Sequence, residues 1–273
     1  MLITRRKFIR TGLLSVGGVV FIDGFWIERF FIETKEFHIG SAIKNSDNIR
    51  IVQISDLHLH SINYQLTQLI NRINLLKPDL IVFTGDVVDN AGNLPLLNDF
   101  LKLIDKDIKK TAILGNWEYL GRVNIASLNK VYLDNNCDLL VNQSVQYSFR
   151  NKTVSITGID DFLCGDPDFD TAVMENKLSD YHLVLVHCPQ YSDYILTKIN
   201  TGIRIDLVLS GHTHGGQVNL FGIIPYLPKG CGHYLKGWYN NPNYKHYVSK
   251  GVGTIVPIRI GARAEVAIFN IGV

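Results

Sequence analysis

Cysteine and net charge are both scarce in this chain of 273 residues. It contains four cysteines, and no two of them have the C-x-x-C spacing. The sequence therefore offers no zinc knuckle or thiol redox motif, and buried free thiols are the simpler interpretation. Lysine and arginine total 27 against 25 acidic residues, a net charge of +2, which gives no case for a nucleic-acid partner. There is also no internal repeat or low-complexity tract.

What is present is an ordinary globular composition. Apolar residues make up 46% of the chain and charged residues 19%, which argues against a disordered protein. A chain of this length can bury one large core, so a single folded domain is the simplest expectation.

A continuous apolar run long enough to span a bilayer is missing from the N-terminus. The apolar residues 12–22 are too few, and Asp23 ends the run. The preceding Thr-Arg-Arg-Lys-Phe-Ile-Arg of residues 4–10 looks like a twin-arginine export signal, and Trp26 with its phenylalanine neighbours suits a membrane interface. We predict that residues 1–36 direct the protein to the inner (cytoplasmic) membrane, with export to the outer face as one option. Packing of this segment on the protein itself is the alternative.

Five polar clusters follow directly after short apolar runs, at residues 49–55, 80–84, 111–114, 182–186 and 206–210. Such β-branched runs are typical of buried strands, and open α/β sheets bind ligands at the carboxyl ends of their strands. Carboxylate and imidazole ligands without a thiolate pair suit Mn, Fe, Co, Ni or Zn. The clusters are Asp56-Leu57-His58, Gly85-Asp86-Val87-Val88-Asp89, Gly115-Asn116-Trp117-Glu118, His187, and Gly211-His212-Thr213-His214.

The sequence between the motifs indicates a βαβ order that later becomes β-rich. Apolar spacing predicts helices at 63–76, 94–104, 123–135 and 189–199. Residues 37–48 read as a short strand with a polar linker. Alternating segments at 138–142, 145–150 and 153–158 predict antiparallel strands of a second sheet. The aromatic-rich stretch 220–247 is either a lid or binding surface, or a loop packed by its own rings.

The five clusters, in this order, resemble the motifs of the calcineurin-like metallophosphoesterase family. The resemblance runs from about residue 49 to the C-terminus, and residues 251–265 resemble the membrane-associated YaeI/YkuE-like phosphodiesterase branch. It implies an α/β fold, a four-layer α/β/β/α sandwich with two mixed sheets, which we assign to residues 37–273. It also implies hydrolysis of phosphoesters by a water activated between two divalent metal ions.

The resemblance also implies which residues hold the two ions, whose identity (Mn, Fe, Zn, Co or Ni) stays open. Asp86 would bridge both, because a bridging ligand needs two anionic oxygens, and Asn116 would offer a neutral one. Asp86, Asn116 and His187 are the candidate catalytic residues. The alternatives are helix caps for the aspartates, a core position for His187, and turn positions for His212 and His214. The implied groups are Asp56, His58 and His214 for one metal, and Asn116, His187 and His212 for the other.

Two positions beside these motifs have a different status. Asp89 usually has a structural role in the family, and we interpret it as a hydrogen-bonding residue of the loop or helix start. Trp117 departs from the family pattern, because many members have a histidine there that protonates the leaving oxygen or supports the attacking water. Indole cannot do acid–base work at neutral pH, and general acid catalysis contributes about 10²–10⁴-fold. The substitution therefore favours substrates with good leaving groups.

These observations predict a metal-dependent phosphodiesterase or pyrophosphatase. The expected substrate is a phosphodiester or a lipid- or nucleotide-linked diphosphate such as UDP-2,3-diacylglucosamine, with a membrane surface as partner and no nucleic acid. Trp117, His60 and Arg263 are the candidate substrate-binding residues. Arg259 and Arg263 form either a phosphate clamp or surface pairs with Glu265. A catalytically weak scaffold of the same fold and a protein phosphatase are the alternatives, and the sequence does not set the oligomeric state.

Overall fold

The computed structural model describes residues 4–24, 28, 31–40, 48–174, 178–198, 202–220 and 222–272. Trp26 and its neighbours Phe25, Ile27 and Phe30, most of the polar linker (residues 44–47) and Phe221 lie outside the described residues.

Two six-stranded mixed sheets form the centre of the described chain. In the first sheet the order is β1-β12-β2-β3-β4-β5, and β12 runs antiparallel to β2 while the other pairs are parallel. Its strands are β1 (Glu33–Gly40), β2 (Ile49–Ile54), β3 (Leu80–Thr84), β4 (Lys109–Ile113), β5 (Cys137–Leu139) and β12 (Glu265–Gly272).

The second sheet has the order β10-β11-β9-β8-β7-β6. Its outer pairs are antiparallel and its inner pairs parallel. Its strands are β6 (Gln143–Phe149), β7 (Lys152–Gly158), β8 (Tyr181–Leu185), β9 (Leu207–Ser210), β10 (Gly237–Asn240) and β11 (Lys245–Val248).

Helices other than the exposed N-terminal one cover the outer faces of the sheets, and the four that the sequence predicts are confirmed to within about two residues at each end. The helix Tyr64–Leu76 shows local signals at both ends: Asn63 Oδ1 accepts from the Leu66 N–H at 2.9 Å, and the left-handed Lys77 before Pro78 ends the helix. The helices are α1 (Arg5–Ile22), α2 (Tyr64–Leu76), α3 (Leu94–Leu103), α4 (Asn116–Leu120), α5 (Ile125–Leu133), α6 (Phe169–Val173) and α7 (Tyr191–Lys198).

The central strands are apolar on both faces because each face packs against a different layer. In β3, Leu80 and Val82 belong to the core between the two sheets, whereas Ile81 and Phe83 pack under the helices of the first sheet. In β8, Leu183 likewise faces the other sheet. Continuous apolar runs are expected for such doubly covered strands. The four-layer α/β/β/α prediction is confirmed.

One predicted strand belongs to the other sheet. Residues 138–142 were expected in the second sheet, but β5 pairs in parallel with β4, with Leu139 opposite Ala112, at the edge of the first sheet. Alternation in a sequence shows that one face is buried, and it does not identify the neighbouring strand. The segments predicted at 145–150 and 153–158 do form the antiparallel pair β6–β7 of the second sheet.

The aromatic stretch 220–247 divides into two parts. Its second half contains β10 and β11, and Tyr234, Tyr244 and Tyr247 are buried there, so these rings serve packing. Its first half remains at the surface, where Tyr226 is 74% exposed. Three cysteines are buried free thiols as expected, whereas Cys164 is exposed.

The first sheet reaches into the segment that was assigned to targeting. Strand β1 begins at Glu33, four residues before the expected boundary at Phe37, and pairs with β12. Buried Lys250 forms an ion pair with the first residue of β1, with Nζ 3.0 Å from Glu33 Oε2. Upstream, the Ala264 N–H donates to the Glu28 carbonyl at 3.2 Å. None of the described helices is both long and apolar enough to cross a membrane.

A truncation that starts at Phe37 should therefore be less stable than one that starts at Glu33. The shorter chain loses the pairing of residues 33–36 with β12 and the Glu33–Lys250 ion pair. At roughly 1 kcal/mol per net hydrogen bond, we expect its Tm to be about 5–10 °C lower in thermal unfolding. Equal melting temperatures would show that these four residues contribute nothing to the folded domain.

Candidate metal centre

All seven residues predicted as metal ligands lie just beyond the carboxyl ends of five strands. Five of them have left-handed backbone conformations, with φ between 42° and 71°. Such conformations cost residues with side chains about 1–3 kcal/mol each and persist only where the surroundings enforce them, most often at functional sites. The five are Asp56, His58, Asp86, His212 and His214.

The structure brings these side chains into two adjoining clusters of buried donor atoms. Asp56, His58 and His214 offer ligand atoms within 4.8 Å of one another. A second cluster with the same spacing comprises Asp86, His187 and His212. Asn116 joins the second cluster, since its Oδ1 lies 3.2 Å from His187 Nε2.

Asp86 stands between the two clusters. Its Oδ2 is 3.1 Å from His187 Nε2 and 3.8 Å from His58 Nε2. Its Oδ1 accepts from the Trp117 N–H at 2.8 Å, which fixes the carboxylate. Burial alone would raise the pKa of Asp86, but the charges of His187 and His58 and the hydrogen bond to His187 hold it below its usual value. The geometry is that of a carboxylate shared between two sites.

The hydrogen bonds around the second cluster determine where the imidazole lone pairs point. His187 Nδ1 lies 2.8 Å from the Thr84 carbonyl, and His212 Nε2 lies 2.6 Å from the Lys229 carbonyl. Carbonyls only accept, so each of these nitrogens carries the proton. The remaining nitrogens, His187 Nε2 and His212 Nδ1, then face each other at 3.2 Å, and His187 Nε2 also faces Asp86 Oδ2 at 3.1 Å. A divalent ion bound here would take the lone pairs of both nitrogens and offset the charge of Asp86.

His58 is oriented in the same way by Asp89. Its Nδ1 is 2.6 Å from Asp89 Oδ1, so a proton lies between them and Nε2 points toward His214 Nε2, 3.2 Å away. Acidic partners behind ligating histidines fix the ring and raise its basicity. The hydrogen-bonding role expected for Asp89 is therefore found, on the far side of a candidate ligand. The residues present fit a pair of divalent metal ions.

Arg259 is buried in the structure and does not form a phosphate clamp. Its guanidinium donates to four backbone carbonyls at 2.6–3.1 Å, and Nη2 lies 3.4 Å from His214 Nδ1. Burial lowers its pKa to about 10. The residue therefore joins the loops behind His214 and has no exposed donor for a substrate. The four carbonyls belong to Lys250, Gly251, Gly253 and Ala262.

Glu118 is a structural residue of the site to which sequence reasoning assigned no role. It is 1% exposed and its two oxygens accept from four backbone N–H groups at 2.6–3.1 Å. Burial and the charge of Asp86 raise its pKa to about 7, while the backbone donors act in the opposite direction. The sequence did contain a signal for this role. Glu118 is the third residue of α4, and a Glu at that position often accepts from the backbone N–H at the helix start. The donors are Asp86, Val87, Val88 and Gly115.

Two motif glycines lie where no side chain fits. A Cβ on Gly115 would collide with Asp86 Oδ1, and one on Gly211 would collide with Ser55 Oγ and Asp56 Oδ2. Gly115 and Gly211, which precede Asn116 and His212, thus permit close approach to a carboxylate at a neighbouring strand end.

Of the three residues predicted to bind substrate, the structure places one in the cavity. The indole of Trp117 lines a cavity of about 610 Å³ above Asp86, Asn116, His212 and His214. His60 is mostly exposed and its Nε2 lies 3.0 Å from Asp89 Oδ2. Arg263 lies over the Phe31 ring at 5.4 Å. Neither is among the residues that line the cavity.

Apart from the candidate ligands, the cavity wall is mainly apolar. It includes Leu120, Leu163, Tyr226 and Ile255, and among its described lining residues Lys229 is the one lysine or arginine. Lys229 had no assignment from the sequence. Its position in the cavity wall could not be predicted from the sequence, because it depends on the path of the loop. There the Lys229 carbonyl accepts from His212.

Comparison with known proteins gives a consistent result. The family model described as calcineurin-like phosphoesterase matches residues 49–216. Two proteins of Bacillus subtilis (strain 168), named metallophosphoesterases YkuE and YkoQ, are 32% and 30% identical to the chain. The alignments cover 98% and 96% of this chain and 97% and 99% of theirs. A solved 5'-nucleotidase precursor from Thermus thermophilus superimposes with a TM-score of 0.48 at 15% identity, over 82% of this chain and 55% of that one.

Replacement of Glu118 by Ala should disrupt the site although no candidate ligand is replaced. Four buried backbone donors would lose their acceptor, so we expect a loss of about 3–5 kcal/mol in unfolding free energy and weaker metal retention. Glu118→Gln keeps one oxygen acceptor, so its stability and metal retention should lie between those of the wild type and Glu118→Ala. Thermal unfolding and metal content of the purified variants measure both effects. Wild-type values for Glu118→Ala would contradict this role.

Proposed function

The chain belongs to the calcineurin-like phosphoesterase family and is a metal-dependent phosphoester hydrolase, and on this basis we propose that it cleaves phosphodiesters or diphosphates at a dinuclear metal centre. The observation that carries the proposal is the convergence of buried ring nitrogens, with His187 Nε2 and His212 Nδ1 3.2 Å apart. Backbone carbonyls accept from the other nitrogen of each ring, so the two facing nitrogens are placed to bind a metal ion.

In this proposal each cluster holds one ion and Asp86 lies between them. Asp56, His58 and His214 form one site, and Asn116, His187 and His212 form the other. Two carboxylates among seven ligands neutralise only part of the charge of two divalent ions, so the centre retains positive charge for a phosphate. Asn116 contributes to this excess because its amide oxygen is neutral. When bound, two divalent ions lower the pKa of a water molecule and stabilise charge on the reacting phosphate.

Trp117 limits the class of leaving group. Its backbone N–H orients Asp86 and its ring forms part of the wall, where an indole cannot donate a proton at neutral pH. Among the described lining residues, the histidines are His212 and His214, which are candidate ligands. A leaving group that needs little protonation, such as the phosphate of a diphosphate or an activated aryl oxide, suits this site better than an alkoxide.

The cavity favours a substrate with a large apolar or aromatic part next to its phosphates. Apolar residues form most of the wall, and Lys229 offers one cation for a phosphate remote from the metals. We therefore propose a lipid-linked or nucleotide-linked diphosphate such as UDP-2,3-diacylglucosamine. The basic N-terminal helix, with Arg5, Arg6, Lys7 and Arg10, supports a place for the enzyme at a membrane surface.

Metal content and hydrolysis in the same samples test the proposal. We expect about two transition-metal ions per chain and metal-dependent hydrolysis of bis-p-nitrophenyl phosphate. UDP-2,3-diacylglucosamine should be cleaved faster, and p-nitrophenyl phosphate more slowly. Full metal content with no hydrolysis of any of these would favour a catalytically weak scaffold instead.

Asp86→Asn should lower the occupancy of both metal sites, whereas Asp56→Asn should affect mainly one. The reason is that Asp86 Oδ2 faces His58 and His187 together. Asp99→Asn, which changes an exposed carboxylate on α3, is the matched control and should retain both ions. Metal analysis distinguishes the three variants, and full occupancy in Asp86→Asn would refute the bridging role.

Trp117→His should help poor leaving groups more than good ones. An imidazole placed near the leaving oxygen supplies an acid, so the variant-to-native rate ratio should rise with leaving-group pKa across aryl phosphodiesters, by up to about tenfold. Trp117→Phe also removes the indole but adds no acid, and its ratio should stay flat. A flat or falling ratio for Trp117→His, in a protein that retains its metals, would assign Trp117 to packing or substrate binding.

A further inference from the structure

Exposed apolar side chains are concentrated around the mouth of the metal cavity. Among the described residues, twenty large apolar side chains are exposed, and nine of them lie in the four segments that line this cavity or adjoin its lining residues. Exposed apolar surface that gathers at one opening in this way marks a candidate interaction site. We call these nine residues the apolar rim: Leu120, Phe162, Leu163, Leu220, Ile223, Tyr226, Leu227, Ile255 and Val256.

One part of the apolar rim lies in the turn that is closed by Leu220 and Ile223, whose backbones pair with each other. Beside this pair, Asn219 Oδ1 accepts from the Gly222 N–H at 2.8 Å. Ile223 is 72% exposed and Leu227 is 42% exposed. Neither lines the cavity, so both are exposed without an evident role in holding a substrate.

The N-terminal helix joins the domain next to this turn. The Arg259 N–H donates to the Gly24 carbonyl at 3.0 Å, and Ile260 packs against Gly24. Ile260 is bridged to Val218 at the base of the turn. Helix α1 and the apolar rim are therefore anchored on the same short segment, which closely follows rim residue Val256 in the chain.

Helix α1 carries the charge that the apolar rim lacks. Residues 1–22 contain four basic residues and no acidic ones. On the same helix Phe8 and Leu14 are about 70% exposed. Apolar side chains beside a basic cluster are typical of segments that bind the interface of anionic membranes, where two such signals together are needed for stable attachment.

We propose that the apolar rim docks on the surface of an anionic lipid bilayer and opens the metal cavity toward the headgroups. The apolar rim enters the interface and α1 supplies the attraction for anionic lipid. This inference rests on the proposed function for its purpose, since a diphosphate carried by a bilayer lipid would then enter the cavity without leaving the membrane. The docking itself requires no catalysis, so the two are separable.

Vesicle binding of the full-length, metal-loaded protein tests the surface. Ile223→Ser/Leu227→Ser removes two rim residues that do not line the cavity. Leu75→Ser/Leu103→Ser removes two exposed leucines on α2 and α3 and is the matched control. Sedimentation with phosphatidylcholine vesicles that contain about 30 mol% phosphatidylglycerol measures binding. We expect roughly tenfold weaker binding for the rim variant, wild-type binding for the control, and unchanged hydrolysis of bis-p-nitrophenyl phosphate in both.

Arg5→Gln/Arg6→Gln tests the contribution of charge. This variant should lose most of the preference for phosphatidylglycerol over pure phosphatidylcholine vesicles. Wild-type binding by the rim variant, or an equal loss in the leucine control, would overturn the proposal. So would a lipid-free dimer that the rim substitutions dissociate, because the apolar rim would then bind a second copy. If the native protein does not hydrolyse bis-p-nitrophenyl phosphate at all, that result would count against the proposed function and leave the docking result intact.

Discussion

The rest of the site depends on one constraint: ring nitrogens and carboxylate oxygens from separate strands are buried within about 3 Å of one another, where they are placed to bind cations. His187 and His212 cannot turn away, because backbone carbonyls hold their other nitrogens. The strained backbone of the ligand loops and the glycines beside Asp56 and Asp86 follow from this requirement, since donor atoms from separate strands must reach one small volume. Metal binding would then release free energy that the apo fold stores as strain and desolvation.

Two buried ionisable residues keep the loops of this site in place, and neither has an exposed group for a substrate. Glu118 gathers the N–H groups of two strand ends, and Arg259 gathers four carbonyls behind His214. Both satisfy backbone groups that would otherwise be buried without partners. Glu118 and Arg259 differ from the candidate ligands in the groups that they contact. Glu118 and Arg259 bond to backbone groups, whereas each candidate ligand directs a side-chain atom into the shared site.

The substrate surface is built differently from the metal centre. Ligand side chains come from strand ends, whose positions the sheet fixes, while most of the wall and apolar rim comes from loops after β9 and before β12. Such loops vary in path and carry specificity. The same metal chemistry can therefore act on different substrates in related proteins, and in this cavity the wall is mainly apolar, with a single lysine among its described residues.

The sequence by itself determined the strand-end placement of the polar motifs and the four main helices, because apolar periodicity and strand-end motifs are local signals. The set of seven candidate ligands came from the resemblance of those motifs, in their order, to a known family. Only the tertiary structure decided that β5 joins the first sheet, that the first sheet begins at Glu33, that Arg259 is buried, and that Lys229 instead of His60 or Arg263 lies in the cavity. Each of these depends on which distant segments meet. The spacing of apolar residues along a helix or strand shows which of its faces is buried. Which segment packs against that face is decided only by the tertiary structure.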